Sequence, residues 1–213
     1  SIFIDELDGK ANIRCSYGKL AAEHLNHEGN EIDLQYSPGS TIEYIKSGTI
    51  EVDYSGITIE TAETISLDAD YSKCSFKRVN DLDFEADYGS LSVDEISVLS
   101  GDADYLSIKV GSLSKALDVS MDYGGLKVEN IQASTENIDI NSDYSGISLG
   151  ADADWAFNFV IETEYAGFKT DFPLNYRKKI IESTDRYYEG NHKNGSNSLK
   201  ISADYGAVKL NQN

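Results

Sequence analysis

Positive charge, proline and cysteine are all scarce in this chain. Its 213 residues include 18 Lys or Arg against 37 Asp or Glu, so the formal charge is −19 at pH 7. A surface this acidic repels phosphates and anionic lipid head groups, and nucleic acid is therefore disfavoured as a partner. Two Cys are too few for a disulfide scaffold, whereas two Pro and 40% hydrophobic residues indicate a folded acidic protein.

Long apolar runs are also missing. No segment approaches the roughly 20 apolar residues that a membrane-spanning helix needs. The first five residues carry no basic stretch followed by an apolar core, as an export signal would. The chain begins at Ser1 rather than Met, which leaves room for a signal or lipid anchor upstream. We expect any membrane association to come only through such an anchor.

One tyrosine recurs with nearly constant surroundings. Numbered from this Tyr as position 0, an apolar residue stands at −4 and at +3 in nine of ten repeats, and the exceptions are Gly101 and Gly39. A small residue follows the Tyr in every repeat except at Leu106. The spacings are 19, 18, 17, 17, 17, 18, 21, 21 and 40 residues, between Tyr17, Tyr36, Tyr54, Tyr71, Tyr88, Tyr105, Tyr123, Tyr144, Tyr165 and Tyr205.

This repeat predicts the fold. A unit of 17 to 21 residues cannot bury its own apolar face, but stacked copies give each strand a neighbour above and below. We therefore predict an all-β, single-stranded parallel β-helix of about ten rungs that forms one domain over residues 1–213. The 40-residue gap holds either one rung and an insertion or two rungs, of which one is degenerate.

The orientation of the tyrosines follows from strand alternation. Positions −4, −2 and 0 share one face of a strand, so the Tyr side chains are expected in the core. A bend is then expected at the Gly and Ser pairs that follow, such as Ser55–Gly56. The alternative is a solvent-facing aromatic strip that could bind sugars.

An acid precedes the Tyr in eight of ten repeats, on the outer face. Stacked rungs would place these carboxylates about 4.8 Å apart, where like charges repel. Each could accept hydrogen bonds from backbone N–H groups of the following bend. The alternative is a ladder of bound cations such as Ca²⁺, for which the candidates are Asp53, Asp70, Asp87, Asp104, Asp122 and Asp143.

Conventional catalytic and metal motifs are absent from the sequence. His24, His27 and His192 have no metal-ligand spacing, and His24 and His27 are expected in a solvated loop. No nucleophile motif such as G-x-S-x-G occurs. Cys15 and Cys74 are expected to be buried, about three rungs apart, and too distant for a disulfide. We therefore predict neither catalytic residues nor a cofactor.

Residues 172–200 interrupt the repeat. This segment has six Lys or Arg against three Asp or Glu, opposite in sign to the whole chain, and it contains the turn signal Asn194–Gly195. We expect an excursion that covers part of the core or shields the end of the solenoid. As the one locally basic, Tyr-rich surface, it is also the candidate partner contact, through Tyr176, Arg177, Lys178, Lys179, Arg186, Tyr187 and Tyr188.

The D-Y-[GS]-x-[IL]-x-[VIL] units and the ending Y-E-G-N-H-K-N-G-S-N-S-L-K-I-S-A-D-Y-G-A-V-K-L resemble bacterial adhesin-type families of β-helical domains. These families are common in exported proteins of Bacteroidetes, and their biochemical function is unknown. The resemblance covers essentially the whole chain. It implies a right-handed β-helix, export, and a periplasmic or cell-surface setting, and it carries over no catalytic residues.

The expected function is accordingly a non-enzymatic, exported scaffold or adhesion module that presents a repetitive acidic surface to a protein or glycan. One alternative is a carbohydrate-active enzyme of the lyase type with a surface carboxylate cluster. Rungs of 17 to 21 residues leave little chain for the loops that build a catalytic cleft. A third expectation is end-to-end self-assembly through exposed terminal strands.

Overall fold

The computed structural model describes residues 1–213 as an all-β chain. It contains no helix that could cross a membrane. Its strands are β1 (Ile2–Leu7), β2 (Asn12–Ser16), β3 (Leu20–Leu25), β4 (Asn30–Gln35), β5 (Ser40–Asp53), β6 (Gly56–Asp70), β7 (Lys73–Asp122), β8 (Gly125–Ile131), β9 (Asn137–Asp143), β10 (Gly146–Ala151), β11 (Phe157–Glu164), β12 (Gly167–Thr170), β13 (Asn175–Glu182), β14 (Asp185–His192), β15 (Asn197–Asp204) and β16 (Ala207–Gln212).

The strands stack in parallel and in register, as the repeat predicts. Ile50 of β5 lies beside Leu67 of β6, which in turn lies beside Phe84 of β7. Strands β5, β6 and β7 run through successive bends without losing the ladder, so β7 alone spans several sides of the solenoid. The predicted parallel β-helix is confirmed.

The core consists of columns of apolar side chains, each contributed once per rung. In the rung from Ser55 to Tyr71, alternation is broken where two successive residues point outward, at 60–61, 63–64 and 70–71. These breaks let a single turn of chain direct seven side chains inward, namely Ser55, Ile57, Ile59, Ala62, Ile65, Leu67 and Ala69. Stacking joins such columns into one continuous cluster of 55 buried residues.

Gly101, the one residue at position −4 that is not apolar, is explained by packing. A Cβ built on Gly101 would lie 2.0 Å from the carbonyl oxygen of Phe84 and 2.7 Å from its ring, one rung away. The φ angle of Gly101 is also +149°, which other residues rarely adopt. The phenylalanine ring therefore fills the space of two rungs in this column, and Gly101 makes room for it.

The predicted inward orientation of the tyrosines is wrong. All ten repeat tyrosines have φ between 47° and 55°, the left-handed region, and all ten side chains point into solvent. In that conformation the strand turns at the Tyr itself, so both −1 and 0 face outward and +1 is directed into the core. The bend therefore lies at the tyrosine and not at the Gly and Ser pair after it.

Serine hydroxyls at +1 hold the bend together. The Ser55 amide donates to Ser72 Oγ at 3.0 Å, and Ser72 Oγ lies 2.7 Å from the carbonyl oxygens of Val52 and Asp70. The Ser37 amide likewise donates to Ser55 Oγ at 2.8 Å. Where the next rung has Ser at +1, its buried hydroxyl thus satisfies the amide of the bend, and the expected capping by the preceding Asp carboxylate is wrong.

The last rung of the chain is not the last rung of the solenoid. β15 pairs in parallel with β9 on one side and with β11 on the other, and β16 lies between β10 and β12. The chain therefore skips one level after β10, builds β11 and β12, and returns to fill the empty level. The 40-residue gap between tyrosines corresponds to one rung and an insertion.

The insertion at residues 172–200 contains a hairpin. β13 and β14 pair antiparallel, and β14 pairs antiparallel with β11, the outermost parallel strand at this end. The hairpin turns at Ser183 and Thr184, whereas the turn after β14 has Lys193 and Asn194 at its centre and is closed by a hydrogen bond from the Gly195 amide to the His192 carbonyl oxygen at 3.2 Å. The hairpin therefore covers the outer edge of β11, and β13 becomes the terminal strand.

The two cysteines are free and buried, as expected. Cys15 lies in the column that continues through Leu34 and Val52 to Ala69, whereas Cys74 lies beside Ile57 in the column at +3. Burial raises the pKa of the Cys74 thiol to about 12, so it stays protonated at neutral pH.

Candidate functional site: the tyrosine face and the hairpin tip

The ten tyrosines form one continuous stack along the solenoid. Neighbouring ring centroids lie 4.7 to 5.2 Å apart, and the planes differ by 1° to 9°. Tyr205 stacks between Tyr144 and Tyr165, which reproduces the order of the rungs in space. We call this stack the tyrosine ladder.

Stacking determines what the ladder can contact. Each interior ring is covered on both faces by its neighbours, and the rings after Tyr17 remain 43 to 55% exposed through their edges and hydroxyl groups. Tyr17, at one end, is 81% exposed. Sugars stack on the face of an aromatic ring, so the interior of the ladder offers them no platform. The ladder presents a row of phenol groups instead.

An acidic row runs along one side of the ladder at position −1. Asp122 lies beside Asp143, Asp143 beside Asp204, and Asp204 beside Glu164 in the strand registers. In order along the solenoid, the row consists of Ser16, Gln35, Asp53, Asp70, Asp87, Asp104, Asp122, Asp143, Asp204 and Glu164.

Crowding in the acidic row raises the pKa of three of its carboxyl groups. Partial burial, followed by the charges of neighbouring carboxylates, raises the pKa of Asp53, Asp70 and Asp122. None of the six candidate residues of the cation ladder belongs to a group of three or more His, Cys, Asp or Glu side chains placed to hold a metal ion.

A second row runs along the other side of the ladder, at the residue that stands four after the Tyr in most rungs. Direct registers connect Lys109 with Lys127, Lys127 with Ser148, and Ser148 with Lys209. The members are Ala21, Thr41, Thr58, Ser75, Ser92, Lys109, Lys127, Ser148, Lys209 and Lys169. Because all but Ala21 carry hydrogen-bond donors, we call it the donor row.

The second candidate site consists of residues 176–179 at the start of β13, which we call the hairpin tip. Every residue of β13 is exposed, and its outer edge has no partner strand. Lys178 Nζ lies 4.7 Å from the ring centroid of Tyr187, and Lys179 Nζ lies 5.1 Å from that of Tyr176. Neither lysine forms an ion pair, whereas Arg177 contacts Glu189 at 3.4 Å. Because successive residues of a strand point to opposite faces, Lys178 and Tyr187 lie on one face of the hairpin, whereas Lys179 and Tyr176 lie on the other.

Not all of the seven predicted contact residues reach solvent. Tyr188 is buried against Phe168, so it anchors the hairpin and is wrongly predicted as a contact. Arg186 is half-buried and donates from Nη1 to the carbonyl oxygen of Ala166 at 3.3 Å. Tyr187 is half-buried, with its hydroxyl 3.1 Å from Glu189 Oε2. The accessible surface consists of Tyr176, Arg177, Lys178 and Lys179.

The largest surface depression lies elsewhere, beside strands β3, β5 and β6. It has a volume of about 850 Å³, and its lining includes His24, Tyr44 and Arg78. The Tyr44 hydroxyl donates to Glu63 Oε1 at 2.8 Å, and Arg78 Nη2 lies 3.0 Å from Thr61 Oγ1. The carboxylates of Glu43 and Glu60 also line this open depression.

His24 and His27 lie near one end of the solenoid, and His192 lies at the other end. His24 is an exposed residue of β3, not of a loop as expected, and His27 is exposed in the turn that follows. His192 is buried at the end of β14 against Phe157 and Phe172.

Comparison with known proteins bears on the family. The family model for Toastrack DUF4097, a domain of unknown function, matches residues 40–211. No curated protein matches, and no solved structure matches. The chain belongs to the Toastrack DUF4097 family.

Proposed function

We propose that the chain is a non-enzymatic, exported scaffold or adhesion module that holds a partner-binding tip at the end of a rod. In the same proposal, the protein acts in the periplasm or at the cell surface. The observation that supports it is strand β13, which is exposed at every residue, has an unpaired outer edge and carries Arg177, Lys178 and Lys179. An exposed edge strand of this kind is the template for β-strand addition by a partner.

The charge of the tip favours an acidic protein segment as the added strand. Lys178 and Lys179 disfavour the pairing of one tip with another copy of itself, because like charges would face each other. The same lysines attract carboxylates and orient the approaching partner. Main-chain hydrogen bonds along β13 would supply affinity, and the basic side chains would supply selectivity.

The aromatic rings support this role by holding the lysines in place. Lys179 lies between the rings of Tyr176 and Tyr188, at 5.1 and 5.6 Å from their centroids. A lysine that is already ordered loses less conformational entropy when a partner binds. The tip is therefore organised before contact.

The proposal is tested by comparing two variants of equal charge. Lys178→Glu with Lys179→Glu reverses the tip, whereas Lys115→Glu with Lys200→Glu makes the same change on exposed lysines outside it. The probes are an array of acidic peptides and a glycan array. We expect the intact chain and the control to retain acidic peptides, and the tip variant to bind at least tenfold more weakly, which corresponds to about 1.4 kcal/mol.

Equal binding by the tip variant and the control would contradict the proposed tip. Retention of glycans alone, lost in the tip variant, would assign the tip to a glycan partner. Point variants are preferable to deletion of residues 172–200, because that deletion removes β14 and the buried Leu199 of β15.

A further inference from the structure

The tyrosine face, defined as the acidic row, the tyrosine ladder and the donor row together, is unusual in its composition. The chain has 37 Asp or Glu, yet none of the ten positions in the donor row is acidic. Eight of ten positions in the acidic row carry a carboxylate. The face therefore presents hydrogen-bond acceptors along one side of the ladder and donors along the other.

A furrow separates the ladder from the donor row in the C-terminal half. Its floor is formed by residues with small side chains, among them Ser107, Gly125 and Gly146, and it is bordered by Lys109 and Lys127. This cleft has a volume of about 410 Å³.

The fold does not require glycine at the floor of the furrow. A Cβ on Gly146 would have no atom within 4 Å, and one on Gly125 would have its nearest neighbour at 3.6 Å. A methyl group would therefore fit at both positions at ordinary van der Waals distances. The furrow is therefore open space beside the row of phenol groups.

We propose that the tyrosine face is the interface of a parallel dimer with a second copy of this chain, related by a two-fold axis along the solenoid. Such an axis exchanges left and right across the face and keeps each rung at its own height. The donor row of each copy then faces the acidic row of the other, and each tyrosine ladder faces the furrow of its partner. An antiparallel arrangement would place acids against acids.

The pairing is complementary from the Tyr54 rung to the Tyr165 rung, where every rung has an acid in one row and a donor in the other. At the level of the Tyr123 rung, Lys127, which also contacts Glu129 of its own chain at 3.2 Å, faces Asp122 of the other copy. Lys209 faces Asp204 at the level of Tyr205. In the N-terminal half, hydroxyl groups such as that of Thr58 take the place of lysine and can donate to carboxylates. The contact is isologous, as in most homodimers.

The face is large enough for a stable dimer. Nine rung steps of about 4.8 Å give a length of about 43 Å, and five residues of about 3.3 Å give a width of about 16 Å. Because the strand bends at each Tyr, this width is an upper limit, and the face covers at most about 700 Å² on each copy, within the roughly 600 to 1,000 Å² per partner of a standard interface. The proposal does not depend on the hairpin tip, which lies at the end of the solenoid.

Charge exchange tests the interface directly. One full-length variant carries Lys127→Glu and Lys209→Glu, so both of its rows are acidic at these levels, and the other carries Asp122→Lys and Asp204→Lys, so both are basic. We expect the wild-type chain to be a dimer by light scattering coupled to gel filtration, each variant alone to be a monomer, and an equimolar mixture to restore a one-to-one heterodimer. The control Lys115→Glu with Lys200→Glu should remain a dimer.

Orientation is tested with a second measurement. In a variant with Asp104→Cys and Lys109→Cys, oxidation should join the two copies, because these residues meet at the same level in a parallel pair. A wild-type chain that stays monomeric at its highest soluble concentration would overturn the proposal, as would variants that still dimerise or a mixture that stays monomeric. A monomer that binds heparin through Lys127 and Lys209 would assign the row to an anionic glycan and also overturn the dimer.

Discussion

At the scale of the residue, the tyrosines combine a strained backbone with a favourable side chain. A left-handed conformation costs a residue with a Cβ about 1 to 2 kcal/mol, and Gly or Asn adopts it more easily. A stacked aromatic pair contributes about 0.5 to 1.5 kcal/mol, and an interior tyrosine belongs to two such pairs. Ring stacking therefore offsets the conformational cost of each bend, which accounts for tyrosine rather than glycine.

Three substitutions at Tyr88 separate the contribution of ring stacking from the cost of the left-handed backbone. Tyr88→Phe keeps both stacks and should change the free energy of unfolding little. Tyr88→Ala loses the stacks and keeps the strained backbone, so we expect a loss of about 1 to 3 kcal/mol. Tyr88→Gly loses the stacks but relieves the strain, and should fall between the two. Urea unfolding measures all three, and an Ala variant as stable as wild type would contradict the account.

The ladder should also make stability depend on alkaline pH. Burial within the stack, and then the charges of neighbouring phenolates, raise the pKa of Tyr88, Tyr123 and Tyr205 above the usual 10. A raised pKa in the folded state gives stability that is complete below pH 10 and is lost as the pH rises through the folded-state pKa. Melting temperature and phenolate absorbance, compared with the urea-unfolded chain, measure this. Equal phenolate titration in both states would contradict it.

The acidic row should also lower the stability of the fold as the pH rises, but over a lower pH range than the tyrosines. The pKa of Asp53, Asp70 and Asp122 is raised first by partial burial and then by neighbouring carboxylates. These three groups therefore stabilise the fold below about pH 3.9, and their contribution falls as the pH rises through their folded-state pKa. Replacing all three by Asn should raise the melting temperature at pH 7. The same replacement should have a smaller effect at pH 4.

The inward tyrosine prediction was wrong by one residue for a definable reason. Buried positions at −2 and +3 are compatible with an inward Tyr or with an inward residue at +1, since either choice requires one pair of successive outward residues between them. The signal that distinguishes them is Leu106, the one large residue at +1, which is apolar and buried. By contrast, the acidic row and the buried cysteines could be predicted because simple alternation applies to them.

At the scale of the element, the bend is a shared structure of two rungs. Ser72 Oγ accepts from the Ser55 amide and reaches the carbonyl oxygens of Val52 and Asp70. Ser72→Ala should leave a buried N–H group unsatisfied and cost about 1 to 3 kcal/mol. Ser66→Ala, on the exposed side of β6, is the matched control and should be neutral. Thermal unfolding of both variants compares them, and equal melting temperatures would contradict this role of the hydroxyl.

The hairpin was predictable in outline only. Its composition and its interruption of the repeat indicated a separate structure over 172–200. Its attachment could not be read from the sequence, because Tyr188 and Tyr176 have the same residue type and only tertiary packing buries the first. Gly190 shows the same dependence, since its Cβ would lie 2.8 Å from the ring of Phe159.

At the scale of the whole molecule, the order of rungs differs from the order of the chain. Local patterns around Tyr165 and Tyr205 are equivalent, so the sequence predicts ten similar rungs but cannot state which lies between which. The position of the last rung between two earlier ones depends on the long-range pairing of β15 with both β9 and β11.

A chain that ends at Ser196 should therefore fail to form the complete solenoid. Strands β9 and β11 would face each other across an empty level, about 9.6 Å apart, with unpaired backbone groups on both sides. We expect aggregation or a large loss of melting temperature. Addition of a peptide of residues 197–213 should restore the fold by filling the level, whereas a peptide with Ile201→Asp should not. A truncated chain as stable as the full chain would contradict the role of β15.

The skipped level also determines when folding can finish. During synthesis the rungs up to β10 can stack as they emerge, but β11 and β12 have no adjoining rung until Asn197–Gln212 leave the ribosome. The aromatic end of the rod, with Trp155 and Phe159, cannot close before then. The last two levels of the solenoid therefore complete their folding together, after the rungs up to β10 have formed.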